Sequence, residues 1–360
     1  MPLDSDPFHL SEYSILSLIW RLALIFIILI NFKGLPFVWH IRILRGFRLV
    51  LRSNRRKDGP TPAQLFQPLI ISSRGSIMEM DYNLHKSNST YFADLDVARA
   101  HLICTLFSRG IDYARNTKCG GIIGVSDGMI GLALGAVSCS FRKEVRPLQP
   151  YELWTRILAW DQKWIYVVTH FVRKDAVRPR AFTLLPGQAQ RQRQRDLKDL
   201  AKKEDAIFAS GLSKCVWKKG RRTIPPELFL QVSGLLPPRP GQDDHPSSMR
   251  QEPLPNLPFS HQVEEFYDIP FKIVERIEMA WDALTTHRSP ELDESSEDGL
   301  SMRGPKALEQ QKGQEEWTWE RIETERQRGM EIANRLMELD RLHGEFTGEA
   351  DALGMQRDLW

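Results

Sequence analysis

The sequence predicts an α+β fold built from an antiparallel sheet and one long helix, and two observations in the 360-residue chain support it. Apolar residues recur at helical spacing from Tyr91 to Leu106. Strand-like apolar runs, separated by turn-forming residues, lie on both sides of this helix. A long apolar run precedes all of these elements. We therefore expect one such domain, with an N-terminal transmembrane helix before it and a C-terminal helical extension after it.

The apolar run covers residues 15–32, ILSLIWRLALIFIILINF, and follows a short N-terminal tail, residues 1–14. Its length is just sufficient for a helix to cross the roughly 30 Å hydrocarbon core of a bilayer. Arg21 is its weak point, but it lies near one end, where its guanidinium can reach the headgroups beside Trp20. The run therefore predicts a single transmembrane helix.

The charges on either side of this helix predict its orientation. The tail contains acidic residues and neither Lys nor Arg, whereas the next 25 residues are rich in Arg. The positive-inside rule then places everything after residue 33 in the cytosol. Residues 33–63 interleave apolar and basic positions, which is typical of a segment that lies along an anionic membrane surface. A cleaved signal peptide or a buried helix of the domain are the alternatives.

Composition limits the function classes. A net charge of +3, without zinc-finger spacing or an aromatic-basic signature, argues against nucleic-acid binding. The four cysteines lie far apart and form no C-x-x-C pair, so we expect reduced, mostly structural thiols and no zinc site. We also expect that the protein uses no metal and no cofactor.

The elements of the domain follow in order. Residues 69–80, LIISSRGSIMEM, predict a strand. The polar residues Ser87 to Thr90 predict the start of the long helix, and Gly110 its C-cap. Further strands are predicted over the following runs: Ile122 to Val125, Met129 to Phe141, Tyr151 to Trp160, Trp164 to Val172 and Ala206 to Trp217.

The loop before the helix, Asp81-Tyr82-Asn83-Leu84-His85-Lys86-Ser87-Asn88-Ser89-Thr90-Tyr91, is the most informative segment. It resembles the D-x-x-x-H-x-N-N-x-x-Y motif of the 4-hydroxybenzoyl-CoA thioesterase-like hotdog superfamily, and in particular the type of thioesterase superfamily member 6 and its fungal relatives. Four further segments carry the resemblance in the same order: Asp96 to Arg99, Arg146 to Leu148, Trp160 to Trp164 and Lys218 to Glu227.

The resemblance implies a hotdog fold, in which the sheet wraps around the helix, and a homodimer with the site between subunits. It also implies thioester hydrolysis, with Asp81 attacking the thioester or activating water. Two residues depart from the family pattern, since Ser87 replaces the first Asn of the usual pair and Lys86 replaces an apolar residue.

The residues themselves suggest how such a site would work. The N–H groups at a helix N-terminus are unsatisfied and carry partial positive charge, so residues 88–91 offer donors for the substrate carbonyl. We expect Asp81, His85 and Asn88 to be catalytic. Four neighbours are predicted to contact the substrate: Ser87, Ser89, Thr90 and Tyr91. The alternatives are that Asp81 only forms a turn and that Asn88 is only an N-cap.

The chain after the domain divides by composition. The hotdog domain is expected over 64–232, with a basic insertion at 176–203, followed by a Pro-rich linker at 233–262. Helical spacing predicts helices over 263–288 and 315–343, with a disordered acidic segment at 289–314 between them and a tail at 344–360. The helices would pack on the domain or on a partner.

Three functions are compatible with these features. The first is a membrane-anchored, cytosol-facing hydrolase of an acyl thioester on coenzyme A or a carrier protein, in lipid or secondary-metabolite biosynthesis. The second is an inactive acyl-binding scaffold, since Lys86 could pair with Asp81 and blunt its basicity. The third is a dehydratase that uses His85 beside Asp81.

Overall fold

The computed structural model describes residues 7–53, 59–115, 130–179, 181–184, 203–237, 317–339 and 341. Its helices are α1 (Pro7–Ile30), α2 (Val38–Ser53), α3 (Asn88–Leu106), α4 (Ser108–Arg115), α5 (Pro226–Val232) and α6 (Trp319–Met337). Its strands are β1 (Leu69–Arg74), β2 (Ile130–Phe141), β3 (Pro150–Trp160), β4 (Ile165–Arg173), β5 (Ile207–Lys219) and β6 (Arg222–Ile224).

The strands form one antiparallel sheet in the order β1-β3-β4-β5-β2, with β6 paired to β5. Residues alternate between the two faces of each strand, so one face of β3 and β4 buries Leu153, Ile157 and Phe171 against α3. Residues along the whole of α3 belong to two large core clusters. A long helix against the inner face of an antiparallel sheet is the hotdog arrangement that the resemblance implies, and this prediction is confirmed.

The outer face of the sheet is covered by α6. Ala333 of this helix packs with Leu158 and Tyr166, and all three are buried. A Cβ atom at Gly329 would lie 2.1 Å from the carbonyl oxygen of Leu158, so only glycine allows this close approach of helix and strand. The domain thus has three layers, α3, sheet and α6.

The N-terminal helices join the domain through α3. α2 packs along α3, where a Cβ atom at Gly46 would lie 3.0 Å from the ring of His101. Nε2 of His101 lies 2.9 Å from the carbonyl oxygen of Arg42, one turn earlier in α2. The large apolar side chains of α1 from Ile15 to Ile28 are 40–69% exposed.

Within the described residues, no helix has both the length and the apolar character that a membrane crossing needs.

Two local predictions were wrong. Residues 75–80 do not continue β1, because Ser76 is the N-cap of a 3-10 turn, Ile77–Glu79, and its amide donates a hydrogen bond to the Glu79 carboxylate. Gly110 is not a C-cap, because α3 ends at Leu106 with Phe107 as its C-cap, and Gly110 lies inside α4, against Ser233. The predicted strand 122–125 and helix 263–288 lie outside the described residues, as does most of the 176–203 insertion.

Candidate active site

A short closed loop precedes α3. Met80 and Lys86 form an antiparallel bridge, and the amide of Asp81 donates to the carbonyl oxygen of His85 at 2.8 Å. One step further along, the amide of Ser87 donates to the carbonyl oxygen of Glu79, also at 2.8 Å. Asp81 therefore lies opposite His85 at the neck of the loop. His85 is two residues before Ser87, where the chain enters the helix.

The carboxylate of Asp81 shapes this loop. Its Oδ1 accepts hydrogen bonds from the amides of Asn83, at 2.8 Å, and His85, at 3.3 Å. This is the Asx turn that the sequence allowed as an alternative role. The turn uses one oxygen only, and Oδ2 has no protein donor among the described residues. A structural role and a chemical role are therefore compatible in the same side chain.

The imidazole of His85 points to a different acid. Its Nε2 lies 3.1 Å from Oε2 of Glu144, an exposed residue between β2 and β3. The contact between His85 and Asp81 runs through the backbone amide of His85. Sequence reasoning did not identify Glu144, because nothing in its local pattern connects it with the loop.

The start of α3 differs in detail from the prediction. Ser87 is the N-cap residue and Asn88 is the first residue of the helix, so the alternative that Asn88 is the N-cap is wrong. The Ser87 hydroxyl lies 3.1 Å from that of Ser89, and both the amide and the hydroxyl of Thr90 donate to the Ser87 carbonyl oxygen. In the described chain, the amides of Asn88 and Ser89 have no protein acceptor.

Tyr91 lies in the core rather than on the loop surface. Its ring is 2% exposed and packs 4.8 Å from the ring of Phe171 and 5.0 Å from that of Phe141. Burial raises the pKa of its hydroxyl. Asp81 and Ser87 are partly exposed and Asn88 and Ser89 are exposed, whereas Tyr91 is buried in the core.

Lys86 does not pair with Asp81. Its ammonium is fully buried and lies 3.1 Å from Oδ2 of Asp94 and 3.3 Å from Oε2 of Glu79. The hypothesis that Lys86 neutralises the candidate catalytic carboxylate is therefore wrong. The reason is that the two side chains extend in different directions. The side chain of Lys86 points inward beneath the loop, whereas that of Asp81 bonds to the amides of its own turn.

Lys86 belongs to a buried ionic group that we call the Asp94 cluster: Lys33, Arg42, Glu79, Lys86, Asp94 and Tyr151. Asp94, on α3, is 0% exposed and is its centre. Oδ2 of Asp94 lies 2.9 Å from the ammonium of Lys33 and accepts a short hydrogen bond from the Tyr151 hydroxyl. Its Oδ1 accepts from Arg42 at 2.7 Å.

Burial and charge act in opposite directions within the cluster. Burial would raise the pKa of Asp94, but the surrounding cations, Lys33 first, hold it well below its usual range. Burial lowers the pKa of Lys33 to about 8 against the attraction of Asp94. Asp94 is therefore ionised at neutral pH and fixes the cations around it.

Comparisons with known proteins identify the family of the chain. Residues 76–226 match the family described as the thioesterase-like superfamily. The probable thioesterase atnL of Emericella nidulans is 38% identical over 63% of this chain and 78% of its own length. Thioesterase lcsJ of Purpureocillium lilacinum is 32% identical over 64% of this chain and 76% of its own. Among solved structures, the gentisyl-coenzyme A thioesterase BH1999 is 16% identical, with a TM-score of 0.29, over 46% of this chain and 98% of its own.

Proposed function

This chain belongs to the thioesterase-like superfamily and is a thioester hydrolase. We propose that it cleaves an acyl thioester at the loop between Met80 and Lys86. The observation that carries the proposal is the position of Asp81. Its carboxylate lies at the neck of the loop with one oxygen outside the turn, and Asp81 faces His85, which is two residues before Ser87, the N-cap of α3. A carboxylate and a set of helix amides are the two components that this hydrolysis requires.

In the proposed reaction Asp81 acts as a general base. Oδ2 takes a proton from a water molecule as the water oxygen attacks the thioester carbon. The carbonyl π electrons move to oxygen, and they return when the carbon–sulfur bond breaks. The thiolate leaves with the bonding pair and takes up the proton that Asp81 holds. The products are a carboxylic acid and a free thiol, and Asp81 is again ionised.

The oxyanion of this reaction requires donors, and the amides of Asn88 and Ser89 can supply them. They stand at the positive end of α3, where the helix dipole favours negative charge. The start of α3 also carries the hydroxyl groups of Ser87, Ser89 and Thr90, and we assign these three residues to substrate contact. His85, held by Glu144, is proposed to orient the substrate rather than to move the proton of water.

The proposed substrate is an acyl group on coenzyme A or on a carrier protein, in lipid or secondary-metabolite biosynthesis. The fungal relatives named as thioesterases support a thioester substrate. We also propose that α1 holds the domain at a membrane, on the cytosolic side. Its exposed apolar side chains and the interleaved basic residues of α2 support this part of the proposal.

We further propose that the chain acts as a homodimer. β2, with 12 residues, is an edge strand of the described sheet, and it carries exposed large apolar side chains at Leu134 and Phe141. A long apolar edge strand is a template for pairing with a second chain.

Two alternatives make different predictions. A non-catalytic acyl-binding protein would bind acyl thioesters without releasing thiol, and the inward position of Lys86 removes the main reason for it. A dehydratase is favoured by one observation, the 3.1 Å contact of His85 with Glu144. It would remove water from a 3-hydroxyacyl thioester and leave the thioester intact.

The test is thiol release by the full-length protein and its Asp81→Asn variant. The amide keeps an acceptor oxygen for the turn but is no base, so we expect hydrolysis to fall about 10²- to 10⁴-fold while the melting temperature is maintained. Asp161→Asn is the matched control. Asp161 forms the same kind of turn between β3 and β4, accepting at 2.7 Å from the amides of Lys163 and Trp164, and this variant should hydrolyse normally. Equal rates in both variants would contradict the assignment.

A further inference from the structure

The Asp94 cluster connects three parts of the chain that are distant in sequence. Lys33 lies in the 3-10 turn after α1, Arg42 lies on α2, and Asp94 lies on α3. The ammonium of Lys33 contacts both carboxylates, at 2.9 Å from Asp94 and 3.1 Å from Glu79. The N-terminal segment therefore supplies two of the three cations around Asp94 in the described structure.

The same cluster holds both strands at the neck of the candidate catalytic loop. Glu79 is two residues before Asp81, and Lys86 is immediately before Ser87, the N-cap of α3. The Glu79 carboxylate contacts Lys86, and the Glu79 carbonyl oxygen accepts from the Ser87 amide. A shift of Glu79 or Lys86 must therefore move Asp81 relative to the helix amides.

A second contact, independent of charge, joins the N-terminal segment to this region. Asn31, 6% exposed, follows α1 directly. Its Oδ1 accepts from the amide of Met78 at 2.9 Å and from the hydroxyl of Ser76 at 3.2 Å. The turn that leads into the loop is thus fixed from the same side as the cluster.

We propose that Lys33 and Arg42 are positioning residues for thioester hydrolysis, acting through Asp94, Glu79 and Lys86 on the geometry of the loop. The inference rests on the proposed function of Asp81. It assigns the N-terminal segment a role within the active site, in addition to any role at a membrane. Neither residue touches the reacting atoms, and their effect is on the distance between the base and the amide donors.

The charges of the cluster make the inference testable. Three cations surround two carboxylates, so removal of one cation leaves a balanced cluster rather than an unpaired charge. We therefore expect Lys33→Met and Arg42→Met to fold. Lys163→Met is the matched control, since Lys163 is an exposed lysine at the β3–β4 turn.

The experiment measures kcat and KM for thiol release from a short acyl-CoA by full-length proteins. We expect kcat to fall about 10- to 100-fold in Lys33→Met and Arg42→Met, with KM changed less than about threefold, because misplacement of a base acts on the chemical step. Lys33→Arg should recover part of the loss. When combined with Asp81→Asn, Lys33→Met should cause little further loss, because both act on the same base.

Hydrogen exchange supplies a readout that does not depend on turnover. Amides of residues 79–90 should exchange faster in Lys33→Met and Arg42→Met, whereas those of β3 and β4 should not change. Normal kcat and normal exchange in folded Lys33→Met and Arg42→Met proteins would overturn the inference, even if Asp81→Asn is inactive. If Asp81→Asn is active instead, the proposed function fails, while faster exchange of residues 79–90 would still establish the link to the loop.

Discussion

The two ends of α3 are packed in opposite ways. At the N-terminal end, Asp94 is surrounded by Lys33, Arg42 and Lys86 in a buried ionic cluster. At the C-terminal end, Phe107 packs in an aromatic group, with ring centroids 5.3 Å from Trp217 and 5.7 Å from Phe229.

Each kind of packing constrains the structure in its own way. Apolar contacts are roughly proportional to buried area and have little directional preference, so the aromatic end mainly fixes volume. Ion pairs and hydrogen bonds fix particular atoms at particular distances. The polar end therefore suits a loop whose chemistry depends on atomic positions, and the aromatic end suits a support.

We expect the greatest loss of stability from a change at the centre of the Asp94 cluster. Asp94→Asn leaves three buried or half-buried cations with Glu79 as the remaining carboxylate of the cluster, so we expect the free energy of unfolding to fall by about 3–5 kcal/mol. Urea denaturation measures it. A loss below about 1 kcal/mol would mean that the cluster is not the support we describe.

The second effect concerns alkaline pH. Because burial lowers the pKa of Lys33 to about 8, we expect kcat to fall about tenfold between pH 7 and 9.5 as its charge is lost, and to stay flat over that range in Lys33→Met. The groups that face Lys33 are the other members of the Asp94 cluster: Arg42, Glu79, Lys86, Asp94 and Tyr151.

A measurement of stability over the same pH range distinguishes a loss of catalytic rate from unfolding of the protein. Lys33 has a lower pKa in the folded protein than its ordinary 10.5, so the unfolded chain binds more protons between about pH 8 and 10.5. The contribution of Lys33 to the free energy of unfolding therefore rises with pH in this window. A melting temperature that falls in parallel with kcat, in the wild type and not in Lys33→Met, would contradict the interpretation.

A change at the aromatic end should affect stability without affecting rate. Phe229→Leu replaces a fully buried ring by a smaller apolar side chain, and we expect a loss of about 1–1.5 kcal/mol. Urea denaturation and thiol release, measured on the same samples, test it. We expect kcat to stay within about twofold of wild type. A fall in kcat as large as in Lys33→Met would remove the distinction between the two ends.

The smallest effect is expected along the side of α3, at its contact with α2. Burial lowers the pKa of His101 to about 4, below its ordinary 6.5, so the unfolded chain gains a proton first as the pH falls. Stability from this group is complete above about pH 6.5, and about 1 kcal/mol is lost by pH 5.5. Melting temperatures at pH 7.5 and 5.5 should differ more in the wild type than in His101→Gln. An equal difference would contradict the assignment.

The strands and the long helix were predictable from the sequence because their signals are local. Alternating apolar residues define β3 and β4, and the polar residues from Ser87 to Thr90 define the start of α3. Residues 75–80 were predicted as strand because their pattern also fits an extended segment. They form a turn instead, because Ser76 and Glu79 form a capping box.

The ionic cluster could not be predicted in the same way. Its members are separated by up to 118 residues, and no local pattern connects Lys33 with Tyr151. One signal was present in Lys86, a lysine where the family pattern that the loop resembles implies an apolar residue. An apolar position on a loop that leads into a buried helix faces inward, so a lysine there requires a buried carboxylate as its partner.

The close contact of Gly329 with Leu158 has a consequence for how the protein is made. α6 covers the outer face of the sheet, yet it follows α5 by roughly 85 residues. At ribosomal rates of about 5–20 residues per second, the nascent chain lacks α6 for roughly 4–17 s after α5 is made. During this interval Leu158 and Tyr166 lack their contacts with Ala333, and a chain that terminates before α6 never forms them.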